Sequence, residues 1–335
     1  MLKQRTKNGW LLIALIVGGI AAFVCAFFIG SSGVSIPEFL QILNGTASDT
    51  MQNIFLNIRL PRAIGAFFVG AALAISGCAL QGVFKNPMAD PFVLGISSGA
   101  SLGATLAMVF FSKTSLQGTG MITALSFVCA LGAMFMVYSI SHIRGKVSTF
   151  SLLLSGFAIS ALLTALVYLL MLLNRDKMDQ VVMWNMGSLS AMNWTKLYIA
   201  MPVIIVCSCL LMTYSKPLNI MLNGDEVSQS LGVDTHKTRR NLLILTALLT
   251  ATAVAISGII GFVGLMIPHL LRLVVGPDNK KLMPLCFAGG GVFLLACDIV
   301  ARVVLKGQEL PVGIITAIIG VPFFIFLLRR GRRTV

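Results

Sequence analysis

Apolar runs of about twenty residues recur along this chain, and almost none carries a charge. Roughly that length crosses a bilayer as an α-helix. Lipid hydrates no backbone, so a spanning segment must satisfy its own N–H and C=O groups. Ten such runs can be drawn, at 10–30, 62–83, 93–111, 121–141, 150–173, 195–214, 241–258, 262–275, 282–305 and 310–328. The seventh and eighth are the hardest to separate, meeting at the glycine-rich SGIIGFVG. The chain is 57% hydrophobic and 11% charged, against about 25% charged in soluble domains. These patterns predict an all-α polytopic membrane protein of ten spans. Residues 1–335 form a single transmembrane domain, since no polar stretch is long enough for a second one.

The net charge is +14, and it reports topology. An even span count puts both termini on one side. With the N-terminus inside, 17 of the 25 Lys and Arg residues fall in cytoplasmic segments, as the positive-inside rule requires. The expected location is a bacterial cytoplasmic (inner) membrane, with both termini cytoplasmic. No basic face alternates with aromatics, so nucleic acid is not an expected partner. The first apolar run, roughly 21 residues, exceeds the 7–15 of a signal-peptide core and reads as a retained span. Seven cysteines, all inside apolar runs and without C-x-x-C spacing, give neither a disulfide framework nor a zinc site.

Catalytic constellations are missing. The chain has no phosphate-cradling G-x-x-x-x-G-K-[ST] and no H-E-x-x-H. Its three histidines, His142, His236 and His269, are far apart in sequence. Asp298 and Arg302, spaced i, i+4, can pair on one helix face. Asp90 falls in the inner loop after the second span. No carboxylate stands convincingly near the midplane, where an ion-coupled carrier would need one. An internal echo, ALAISG at 72–77 and AVAISG at 253–258, runs in opposite directions and suggests an inverted repeat.

One stretch breaks the oily pattern: LNGDEVSQSLGVDTHKTRRN at 222–241. Pro217 is expected to close the sixth span. Asp225 and Glu226 suit the first turn of a short helix, and Gly232 suits its stop. A second short piece, from Asp234 to Arg240, would lead into span seven. A cytoplasmic segment with a helix start, a helix stop and mixed charge fits a docking element, here about 215–240.

Several segments together resemble the iron-chelate uptake permeases of ABC importers, which serve iron–siderophores, haem and vitamin B12. They are RLPR at 59–62, GAALAISGCALQGVFKNPMADPFVLGISSGASLGA at 70–104, GDEVSQSLGV at 224–233, GFVGLMIPHLLR at 261–272, DIVAR at 298–302 and ELPVGIITAIIGVPFFIFLL at 309–328. The resemblance implies a type II ABC importer permease working as a homodimer. Two ATP-binding cassette subunits would sit in the cytoplasm, and an extracytoplasmic substrate-binding protein would dock outside. This chain itself would bind no cofactor or metal; ATP and Mg would sit on the partner ATPase.

The resemblance also implies sites. Asp225, Glu226, Ser228 and Gly232 would form the ATPase-coupling helix, although Val227 and Ser228 replace the alanines of the general E-A-A-x-x-x-G pattern. Arg59, Arg62 and Arg302 would receive carboxylates of the binding protein, in keeping with bidentate guanidinium–carboxylate pairing. A local Arg302–Asp298 pair is the competing use of that arginine. Asn86, Met88, Ser148 and Thr149 would form a cytoplasmic gate, and Ser148 and Thr149 would equally cap span five. The expected activity is permeation rather than catalysis, with an iron chelate as cargo. Cobalamin or an oxyanion such as molybdate is the alternative cargo. An ion-coupled carrier and a membrane-embedded enzyme are the rivals.

Overall fold

A computed structural model describes residues 17–26, 28, 41, 44, 46–111, 115–143, 146–305 and 308–331. The basic N-terminal residues 3–7, the first part of the first span and Arg332–Arg333 lie outside the described residues. Apart from a two-residue antiparallel ladder pairing His142 with Val147, the regular structure among the described residues is helical.

The helices are α1 (Val17–Ala26), α2 (Asp49–Asn53), α3 (Leu60–Val83), α4 (Ile96–Phe110), α5 (Ser115–Ser141), α6 (Thr149–Leu173) and α7 (Met178–Asn185). They continue with α8 (Trp194–Thr213), α9 (Ser215–Met221), α10 (Asp225–Ser230), α11 (Thr235–Ser257), α12 (Val263–Val275), α13 (Asn279–Val303) and α14 (Val312–Gly331). Six helices are long and apolar enough to span, counting α2 and α3 as one, and four more are shorter but apolar: α1, α4, α12 and α14. Together they match the ten expected spans.

Boundaries differ where local geometry overrides the apolar pattern. The second span begins well before residue 62. Ser48 caps α2, and a π-helical stretch Ile54–Arg59 joins it to α3, so helix runs without a break from Asp49 to Val83. The polar flank hides this continuation, because hydropathy marks only the part that sits in lipid. Pro217 does not close span six. Span six ends at Thr213, and Pro217 lies in the first turn of the separate helix α9, where its missing N–H costs nothing. The expected second piece at Asp234–Arg240 is simply the start of α11, with Asp234 accepting from the Lys237 N–H as N-cap.

α3 is the central pillar: 83% of its most apolar window is buried, against 17% for α6. Its side chains explain the difference. Gly70, Ala74 and Gly77 form a small-residue stripe that lets other backbones approach closely. A Cβ at Gly70 would collide with the Gly290 carbonyl on α13, and one at Gly77 with the Gly264 carbonyl on α12. α6 instead presents Phe150, Leu154, Phe157, Leu162 and Leu169 outward, as a lipid- or partner-facing helix does.

The ALAISG echo does not repeat as structure. Residues 72–77 continue through mid-helix in α3, whereas Ser257 ends α11 and Gly258 turns at φ 70°. Nearly identical letters meet different neighbours. As expected, SGIIGFVG separates spans seven and eight, and α12 is short.

Candidate functional site

The two ends of α3, about 36 Å apart at 1.5 Å per residue, each carry an ionic junction. At the Arg62 end, Arg62 donates to both oxygens of Asp298, with its closest contact at 3.0 Å, and to Glu309 Oε2 at 2.6 Å. Arg302 donates to Asp298 across one helical turn and to the Ala26 carbonyl at 3.1 Å. Asp298 is fully buried, and Arg62 and Arg302 are nearly so. The predicted i, i+4 pair therefore forms, and it extends into a four-residue network joining α1, α3, α13 and the approach to α14. Arg59, at the end of the π-helical stretch, is buried as well. All three arginines proposed for docking thus gather at one end of the protein, with Arg62 and Arg302 already bonded to carboxylates of their own chain.

At the other end stands the polar segment. Gly224, at φ 115°, turns the chain into α10, whose first turn holds Asp225 and Glu226. The stop is a Schellman motif: the Val233 N–H reaches the Ser228 carbonyl and the Gly232 N–H reaches Gln229. Gly232 sits at φ 81°, where a Cβ is unfavourable. Ser228 is fully buried, and its hydroxyl donates to the Gly224 and Ile220 carbonyls, so it holds α10 to α9. Glu226, Val227 and Leu231 point to solvent, with Leu231 63% exposed. The expected helix over 225–232 is present, and its polar residues divide into an inward anchor and an outward face.

Three spans hold this segment. Asp225 pairs with Arg239 of α11 at 3.1 Å and with Lys85, just past α3, at 3.8 Å. Asn219 of α9 donates to Asp278 at 2.7 Å, and its Oδ1 accepts from the Asn279 N–H and side-chain amide at the start of α13. Sequence reading counted Lys85 and Arg239 only as topological charges and overlooked Asn219. Asp278 is legible as an N-cap, but nothing local in the sequence marks its partner 59 residues away.

The proposed gate residues occupy the same end. Asn86 Oδ1 accepts from the Met88 N–H at 2.9 Å, and Met88 is 44% exposed. Ser148 caps α6 by accepting from the Ser151 N–H, and Thr149 opens that helix. Capping is thus observed for Ser148, as its sequence position allows. In the loop after α3, Asp90 caps the turn at Pro91–Leu94 and accepts from the Phe92 N–H at 2.8 Å. Burial pushes its carboxyl up to about 6, which that one N–H only partly offsets. No group of three or more His, Cys, Asp or Glu residues suited to a metal exists among the described residues, and all seven cysteines are free thiols.

Known proteins resemble this chain over most of its length. A cobalamin import system permease protein, BtuC, of Halobacterium salinarum is 44% identical over 294 residues, covering 88% of this chain and 75% of that protein. The hemin transport system permease protein HmuU of Yersinia pestis is 38% identical, covering 98% of this chain and 97% of that one. A solved ABC transporter in an inward-facing conformation superposes with TM-score 0.85 at 35% identity, covering 96% of this chain and 99% of that one. Residues 15–330 match the FecCD transport family. With ten apolar helices among the described residues and nearly its whole length matched, this chain is a multi-pass ABC importer permease of the FecCD transport family.

Proposed function

We propose that this permease takes up an iron chelate, a siderophore complex or haem, received from a substrate-binding protein outside and driven by separate ATPase subunits inside. The observation that carries the reading is α10. It presents Glu226, Val227 and Leu231 outward while Asp225 and Ser228 tie its base to α3, α11 and α9, and Asn219 ties α9 onward to α13. Such a lever transmits a push at the cytoplasmic surface to several spans at once. ATP and Mg belong to the partner subunits.

The remaining assignments complete the cycle. The α10 end faces the cytoplasm and the Arg62 end faces outward, following the basic-residue count. A second copy packs through the apolar faces of α6 and α14, and the cargo path follows the two-fold axis. Asn86, Met88, Ser148 and Thr149 close that path at its inner end. A docking carboxylate from the binding protein replaces Glu309 on Arg62, because the Glu309 side chain is 32% exposed whereas Asp298 is fully covered. Arg59 and Arg302 complete the positive field, which steers a negatively charged partner.

Cobalamin is a second reading, supported by the halobacterial relative. One experiment addresses both. The permease is reconstituted in proteoliposomes with its ATPase and binding protein, and uptake of ferric hydroxamate, haem, cobalamin and molybdate is measured with and without ATP. The iron-chelate reading expects ATP-dependent accumulation of a ferric cargo. Accumulation of cobalamin or molybdate alone would replace that cargo, and accumulation on an ion gradient without ATP would overturn the mechanism.

A further inference from the structure

Between the end of α5 and the start of α11 lies a cleft of about 300 Å³. Tyr138 and the buried Leu243 contribute its apolar surface. Its basic residues are His142, His236, Lys237, Arg239 and Arg240. Among the described residues the one acid lining it is Asp234, already engaged as the N-cap of α11. The helix terminus is therefore satisfied, and attraction for an anion comes from the side chains. Lys237 and Arg240 are exposed and make no ion pair among the described residues.

Apolar surface continues from the cleft along both helices. Ile244, one turn beyond Arg240 on the same face, is 51% exposed, and Phe135, one turn before Tyr138, is 71% exposed. A free phosphate has no use for that surface, whereas acyl chains do. Basic pockets between spanning helices on the cytoplasmic side suit anionic headgroups.

We propose that this cleft binds an anionic glycerophospholipid. The phosphodiester lies among Lys237, Arg240 and the two histidines, and the chains run along Phe135 and Ile244. Arg239 lines the cleft and also holds Asp225 at 3.1 Å. Occupancy therefore acts on the tether of α10.

The test uses the full chain, delipidated in detergent and titrated with phosphatidylglycerol or phosphatidylcholine, with bound lipid counted by native mass spectrometry. Lys237→Gln with Arg240→Gln should weaken phosphatidylglycerol binding about 30-fold, at roughly tenfold per 1.4 kcal/mol and about 1 kcal/mol per basic residue. Phosphatidylcholine should bind weakly to both proteins, and millimolar inorganic phosphate should not displace the lipid. Equal binding of the two lipids, or unchanged phosphatidylglycerol binding in the variant, overturns the proposal. Displacement by phosphate would make this a free-anion site. If Lys237 and Arg240 resist chemical labelling only when the ATPase is present, the cleft is a protein contact instead.

Discussion

At the Arg62 end of α3, Asp298 is fully buried and serves two arginines; at the Lys85 end, Asp225 serves Arg239 and Lys85 while its side chain stays 45% exposed. Both junctions tie several helices through one central carboxylate, with Glu309 added on Arg62 in the first, yet their energetics differ. In the buried junction, desolvation is large and every partner is needed, so losing one strands the others. In the second junction, water reaches Asp225 and Lys85, whose side chains are 45% and 38% exposed, although Arg239 is only 11% exposed; exposed pairs of this kind are worth about 0.2–1 kcal/mol. The first acts as a strut and the second as a joint. A permease driven from one face needs a joint at that face and rigidity where its spans are gathered.

The largest effect should come from breaking the strut. Asp298→Ala leaves Arg62 and Arg302 buried without their shared carboxylate, and should cost about 3–5 kcal/mol. Thermal unfolding in detergent would read this as a large fall in Tm. Replacing Arg62, Asp298 and Arg302 together by Met, Leu and Met should recover most of the loss, since well-packed apolar groups often match a buried ion pair. Failure of that rescue would mean that the network contributes more than compensation for its own desolvation.

Asp90 sharpens the comparison as a carboxyl that makes no ion pair among the described residues. Its lining includes Leu73, Phe92 and Ile260. Because burial raises its pKa to about 6, the folded state holds the proton more tightly than the unfolded chain. Its contribution to stability should be complete below about pH 4, the ordinary aspartate value, and should be lost as pH rises from there through about 6. The loss should be on the order of 1–3 kcal/mol. Asp90→Asn keeps the capping acceptor and should flatten the Tm profile between those values. An unchanged profile would place its cause elsewhere.

Glu309→Gln should cost less, about 1 kcal/mol, because Arg62 keeps Asp298 and the amide oxygen can still accept a hydrogen bond. The same variant should strengthen salt-dependent binding of the binding protein if Glu309 competes for Arg62. A Tm drop as large as that of Asp298→Ala would make Glu309 part of the strut.

The sequence was most legible where a rule is local. Apolar length located the ten spans, i, i+4 spacing found Asp298–Arg302, and acids followed by Gly232 marked α10. It was least legible where partners are remote. Arg62 meets Asp298 across 236 positions and Asn219 meets Asp278 across 59, and no periodicity encodes such a meeting. The polar helices α2, α7 and α9 were also missed, because hydropathy registers lipid contact rather than helicity. Resemblance to a family proposed Asp225, Glu226, Ser228 and Gly232 as coupling residues. The structure divides them: Ser228 is buried against α9, Asp225 bridges two spans, Gly232 ends the helix and Glu226 faces outward.

That division leads to the smallest change in stability and the most specific change in function. Asp225→Asn removes the charge that holds Arg239 and Lys85, but the Ser228 hydroxyl bonds and the Schellman stop still fold α10 in place. Stability should fall by only about 0.2–1 kcal/mol. The stroke from the ATPase would then reach α9 through the packed Ser228 contact but lose its ionic link to α3 and α11. Cargo moved per ATP hydrolysed should drop several-fold in proteoliposomes, while hydrolysis itself continues. Glu226→Arg, on the outward face, should uncouple through the partner contact and leave Tm unchanged. If Asp225→Asn unfolds the protein as Asp298→Ala does, both junctions are struts; if transport per ATP is unaltered, the joint at Asp225 carries no stroke.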